Sequence, residues 1–229
     1  MLSRRNFLGL VGLLSLAIAP VVVAYDDHVS SLIKQLKSTD TLQRRKAASA
    51  LGEMGSRAQG AIPELCQLLS KDKDVFVRRS AARSLGQIGL DPQRCLPVLS
   101  KALKDENREV AEVAAEAIAK FGNDSLDYLI KGLKDRDHLV QKICVVSLGK
   151  LGSSAKPAVP GLIKLFEEQP AMRRRDQESL RGVIVETLGK IGPAAKESVP
   201  IIEKSLENNR DREYRRAAEL ALRKINGRS

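Results

Sequence analysis

Asp72-Lys73-Asp74-Val75-Phe76-Val77-Arg78-Arg79-Ser80-Ala81-Ala82-Arg83-Ser84-Leu85-Gly86-Gln87-Ile88-Gly89 holds, in 18 residues, the pattern that organises the whole chain. Val77, Ala81, Ala82 and Leu85 fall on one face of a helix. Gly89 suits the left-handed residue that ends it. The ending Leu85-Gly86-Gln87-Ile88-Gly89 returns as Leu51-Gly52-Glu53-Met54-Gly55, Leu148-Gly149-Lys150-Leu151-Gly152 and Leu188-Gly189-Lys190-Ile191-Gly192. A looser copy is Ile118-Ala119-Lys120-Phe121-Gly122. Pro63, Pro97, Pro160 and Pro200 each follow the leading leucine of a copy by 12 residues. Self-similarity at such a period predicts stacked helical hairpins.

Each unit reads as two helices. The first carries apolar residues at spacings of three and four, as in Val29, Leu32, Ile33 and Leu36, or Leu126, Leu129, Ile130 and Leu133. Proline belongs in its first turn, where a missing N–H leaves no carbonyl unpaired. The second carries an apolar residue, two small ones and the closing leucine: Val110, Ala114, Ala115 and Ile118 in the third unit, Val140, Cys144, Val145 and Leu148 in the fourth. Six units fit between about His28 and Ile225. Two depart from the metric. The link before the fourth is about three residues short, with Asp127 at the proline position, and the fifth carries about six extra residues between its helices. That insert holds Pro170 and Arg173-Arg174-Arg175. An extra segment in a repeat array either carries binding or is a longer solvated turn.

The pattern D-x-x-x-x-V-R-x-x-A-A-x-x-L-G resembles the short bacterial HEAT repeat, as in phycobilisome lyases. The resemblance spans nearly all of residues 25–229 and implies an all-α, right-handed solenoid of about six hairpins. It also implies an aspartate–arginine ladder between neighbouring repeats. Those positions read Asp72 and Arg78, Asp105 and Ala111, Asp135 and Gln141, and Asn209 and Arg215, with Arg44 in the first unit. The third and fourth units lack the arginine.

Residues 1–24 are a different object. Arg4 and Arg5 precede an apolar run, and Val22-Val23-Ala24 offers small residues for cleavage after Ala24. Ser3-Arg4-Arg5-Asn6-Phe7-Leu8 resembles a twin-arginine export signal, with Arg4, Arg5, Phe7 and Leu8 as its determinants. A cleaved leader and an uncleaved anchor both fit, and either puts the body outside the cytoplasm, in a periplasm or a thylakoid lumen. Lys and Arg total 39 against 28 acids, and removing residues 1–24 lowers the charge from +11 to +9. Aromatic content is 3%, which weighs against base stacking and hence nucleic acid.

Catalytic chemistry is hard to find. Cys66, Cys95 and Cys144 lack C-x-x-C spacing and read as small buried hydrophobes. Cys66 and Cys95 sit at different heights on neighbouring first helices, which disfavours a bridge. His28 and His138 have no metal-ligand spacing. The sequence predicts neither enzyme activity nor a cofactor.

A binding surface is easier to assign. With each closing leucine as origin, positions −6, −2 and +2 lie opposite the packing face. In HEAT-like stacks that side lines the concave surface. The stripe runs Arg45, Ser49, Glu53; Arg79, Arg83, Gln87; Glu112, Glu116, Lys120; Lys142, Val146, Lys150; Gly182, Glu186, Lys190; Arg216, Leu220, Lys224. Its nine basic and four acidic residues give a net +5. A protein partner with an acidic stretch and an ordinary solvated helix face both account for it. The functions in view are an exported scaffold, a phycobilin-lyase-like subunit or chaperone of chromophore attachment, and a HEAT-like nucleic-acid binder.

Overall fold

The computed structural model describes residues 27–169, 180–207 and 209–227. They form a right-handed, all-α solenoid of six stacked hairpins, with no strand among the described residues. The first helices are α1 (27–35), α3 (Ile62–Lys71), α5 (Pro92–Ala102), α7 (Leu126–Gly132), α9 (Val159–Glu168) and α11 (Val199–Glu207). The second helices are α2 (Thr41–Glu53), α4 (Val75–Ile88), α6 (Arg108–Ala119), α8 (His138–Lys150), α10 (Leu180–Ile191) and α12 (Arg212–Ile225). No helix of the described residues is long and apolar enough to cross a membrane. The export segment lies outside the described residues.

Second helices start the same way wherever the preceding turn is described. Asp40, Asp74, Asn107, Asp137 and Asp211 cap them, each side chain accepting an N–H of the first turn. That satisfies donors the helix cannot pair itself. Two residues earlier, Ser38, Asp72, Asp105, Asp135 and Asn209 accept the amide of the capping residue. The tight turn inside each hairpin whose turn is described is therefore written by two short polar side chains.

The glycines end the helices as the sequence predicts. Gly55, Gly89, Gly122, Gly152 and Gly192 all have φ between +56° and +72°, a region that costs a side chain little only when there is none. After four of them a 3-10 segment leads to the next first helix: Gly55–Ala61, Gly122–Ser125, Gly152–Ala158 and Gly192–Ser198. The short link before the fourth repeat is this segment cut from 7 residues to 4. Pro63, Pro160 and Pro200 lie at the start of their helices.

Pro97 departs from the expectation and sits inside α5. After Gly89 there is no 3-10 segment. Asp91 takes a left-handed conformation, its side chain accepts the Arg94 N–H, and Pro92 occupies the first turn instead. The helix thus begins early, over sequence that is 3-10 elsewhere. Cys66, Cys95 and Cys144 are buried free thiols. Cys66 lies on α3 and Cys95 on α5, and no bridge joins them. Their mutual hydrogen bonding, followed by burial, pushes Cys95 up. Burial, helped by the negative charge of Asp135, lifts Cys144 to about 12.

The core is one continuous apolar column through all six repeats. Second helices bring their backbones close together. A Cβ on Gly86 would lie 2.7 Å from Ala117 Cα, and one on Gly189 would lie 2.9 Å from Ala221 Cα. The residue before each closing leucine thus seats on the glycine after the previous one. Where that residue carries a hydroxyl it also donates to the neighbouring helix: Ser84 to Ala48 O at 2.8 Å, Ser147 to Ala115 O at 3.4 Å and Thr187 to Val145 O at 3.1 Å. The longest of the three lies where Ala119 replaces the glycine. On the outer face of α12 the two inward-stacking positions hold Glu219 and Arg223, both exposed.

Candidate functional site

The ladder is formed twice. Arg44 Nε and Nη2 donate to Asp72 at 2.7 and 3.0 Å, and Arg78 grips Asp105 at 2.8 and 2.9 Å. Arg78 also donates to the Asp72 carbonyl at 3.0 Å. Burial pushes the Asp72 carboxyl up, but the Arg44 hydrogen bonds and the Asp74 amide outweigh it and hold the group below its usual range. In the third repeat Ala111 stands where the arginine would be, and Asp135 takes Lys104 Nζ at 2.8 Å instead. Gln141 turns inward to the Leu133 and Asp135 carbonyls of its own repeat. In the fifth, Arg181 lies over the Phe166 ring at 4.1 Å. These arginines belong to the scaffold, and so they leave the stripe to other side chains.

Every described residue of the stripe reaches solvent, none being buried. Arg45 and Arg79 lie over the Phe76 ring at 5.3 and 5.2 Å from its centre. Arg79 also pairs with Glu109 of the next repeat. Glu112 accepts from Arg108 Nε at 2.7 Å, and Glu116 accepts from Lys150 Nζ at 3.0 Å across repeats. The acids of the third repeat are therefore partly neutralised, Glu112 within its own helix and Glu109 and Glu116 by the neighbouring repeats. Arg45, Arg83 and Arg216 form no ion pair among the described residues. Arg173, Arg174 and Arg175 lie outside the described residues, as do Arg4, Arg5, Phe7, Leu8 and Ala24.

Two grooves run between second helices on this face. One, of about 200 Å³, lies between α6 and α8, with Ala115, Leu139, Ile143 and Val146 below and Glu116, Lys142 and Lys150 at its rim. The other, of about 420 Å³, lies between α10 and α12, where Lys190, Arg216 and Lys224 share the lining with Glu186, Glu213 and Leu220.

Leu220 falls on the stripe read from the sequence, whereas the apolar side chains Leu42 and Phe76 escaped that reading. Leu42, Phe76 and Leu220 are exposed at 52%, 45% and 51%. Leu42 and Phe76 both stand nine residues before a closing leucine, beside the position that packs. For Phe76, which stands beside the buried Val77, that second apolar residue was the available signal; Leu42 stands beside Gln43 and gave none. Among the described residues no three side chains converge as metal ligands.

Known proteins agree with this geometry. The HEAT repeats family model matches residues 29–95 and 96–181. No protein of curated function matches the chain in sequence. Among solved structures, a chain of the CpcE–CpcF complex of phycocyanin lyase from Nostoc sp. PCC7120 is similar at 26% identity and TM-score 0.51. The match covers 86% of this chain and 76% of that one. An engineered protein matches at 24% identity and TM-score 0.52, over 87% and 97%. The Kap95:Nup1 complex matches at 14% identity and TM-score 0.64, over 86% of this chain and 30% of that one. The last two speak to the fold alone. Two thirds of this chain fall under the family model, on a structure with the family's hairpins, caps and ladder; the chain belongs to the HEAT-repeat family.

Proposed function

We propose that this chain is an exported, non-enzymatic scaffold that docks an acidic segment of a protein partner along its second-helix face. The fifth-repeat insert, with Arg173, Arg174 and Arg175, extends the contact. One observation carries the reading: a stripe with a net charge of +5 runs along the open side of the array, and Arg45, Arg83 and Arg216 are not held by ion pairs among the described residues. Long-range charge of one sign steers an oppositely charged partner to such a face. The CpcE–CpcF structure, a complex of two chains, supports protein docking as the use of this scaffold.

The test is crosslinking capture from the exported fraction, with the charge reversals Arg83→Glu and Arg216→Glu as comparison. Loss of a partner from the reversed chain is expected; identical capture by both chains sinks the proposal. Export is tested by replacing Arg4 and Arg5 with lysine, which should keep the chain in the cytoplasm. A second reading, a subunit acting in chromophore attachment, is favoured by the 26% identity to the lyase complex. Pigment transfer to a phycobiliprotein in cells co-expressing this chain would establish it.

A further inference from the structure

Two of the three exposed large apolar side chains among the described residues, Leu42 and Phe76, hold the same register on consecutive second helices. Around them stand Arg45 and Lys46 of α2 and Arg79 and Arg83 of α4. Two guanidinium groups converge on the single Phe76 ring. The ring attracts each cation, while the two cations repel one another; an anion set between them would relieve that repulsion. The nearby acids are largely committed. Asp40 and Asp74 cap helices, Asp72 holds Arg44, and Glu109 answers Arg79 alone. Glu53 is the one carboxylate that shares the stripe on these two helices.

We infer that the face formed by α2 and α4 binds an acidic peptide segment bearing an aromatic or large aliphatic side chain. The carboxylates lie on Arg45, Arg79 and Arg83, and the apolar side chain rests against Phe76 and Leu42. This rests on the reading that the second-helix face docks a protein, and it assigns the docked segment to the first two repeats. Charge complementarity selects the carboxylates, and the exposed ring selects the hydrophobe. Phosphates would satisfy the same cations, but one ring provides no succession of stacking platforms for bases.

The experiment is fluorescence anisotropy of the purified full chain with three labelled probes. The first is a 12-residue Asp/Glu peptide with a central Phe-Leu pair. The second has that pair replaced by Ser-Ser, and the third is a 12-nucleotide oligothymidine. The Phe-Leu peptide is expected to bind about tenfold more tightly than the serine peptide. Phe76→Ala should erase that difference, and Arg45→Gln should weaken both peptides. A double variant at the other end, Lys190→Gln with Lys224→Gln, should leave the preference intact. Phe76 is half exposed, so unchanged circular dichroism is expected and separates lost binding from lost fold. Equal affinity for the two peptides overturns the inference. If the far-end variant alone weakens binding, the segment docks elsewhere, so this assignment fails while face-wide docking survives. If no peptide binds, both fail. Tighter binding of oligothymidine than of either peptide also overturns it.

Discussion

Gly86 shows how much a missing methyl can do. A Cβ there would press to 2.7 Å on Ala117 Cα, a backbone atom that cannot step aside. Gly86→Ala should therefore cost about 1–3 kcal/mol, because the two second helices must separate to admit it. Gly60 gives the control, since a Cβ there meets nothing within 4 Å. Gly60→Ala is expected to be neutral or to stabilise by about 0.4–1 kcal/mol through the unfolded chain. Urea midpoints of the two variants check both signs. The Leu-Gly signature was legible as a helix ending, and Gly55, Gly89, Gly122, Gly152 and Gly192 do that work. The glycine beside each leucine was not legible in this sense, because its reason lies in the next repeat. The same holds for Ser84, Ser147 and Thr187, whose hydroxyls answer carbonyls more than 30 residues away.

Between elements, the ladder decides which joints are tied. The Arg78 and Asp105 side chains are 9% and 10% exposed, between a surface pair and a buried one. Arg78→Ala should cost about 2–3 kcal/mol, since Asp105 and the Asp72 carbonyl both lose their partner. Ala111→Arg places the missing guanidinium at the same register, facing Asp135, and should raise the urea midpoint. Asp72 sets a pH signature. Its carboxyl titrates below the usual value in the folded chain. The ion pair therefore contributes in full above about pH 4, the unfolded value. That contribution fades as pH falls through the lowered folded value. Asp72→Asn should flatten the acid limb of the stability curve below about pH 4, measured by urea melts at several pH values. The ladder's presence at Arg44 and Arg78 and its gap at Ala111 were legible from spacing. Early initiation of α5 was not: it depends on Asp91 in a left-handed conformation and on Pro92, which no repeat average contains.

Across the molecule, two observations single out the joint between the third and fourth repeats. It lacks the ladder arginine, and its Ser147–Ala115 hydrogen bond is the longest of its class, at 3.4 Å. A repeat array opens at its weakest interface. Hydrogen exchange of the full chain should show faster amides in α7 than in α3 or α5, and Ala111→Arg should narrow the gap. The candidate binding face was half legible. The order of its charges follows from helical period alone, whereas their pairing does not. Arg79 with Glu109 and Glu116 with Lys150 bridge repeats that sequence spacing cannot align. The apolar companions Leu42 and Phe76 were not read from the sequence as part of this face; their exposure shows only in the structure.

Glu219 and Arg223 on the outer face of α12 have a consequence for how copies meet. The equivalent positions on earlier helices hold alanine or valine, and glycine or Ala119, and onto these the next hairpin seats. A second molecule trying to stack there would have to strip water from two charges with no partner waiting. This face of α12 is therefore a poor seat for a second copy. Replacing Glu219 with alanine and Arg223 with glycine should remove that barrier. In sedimentation, the altered chain should begin to associate as its concentration rises, from a surface that merely regained the smoothness of its interior.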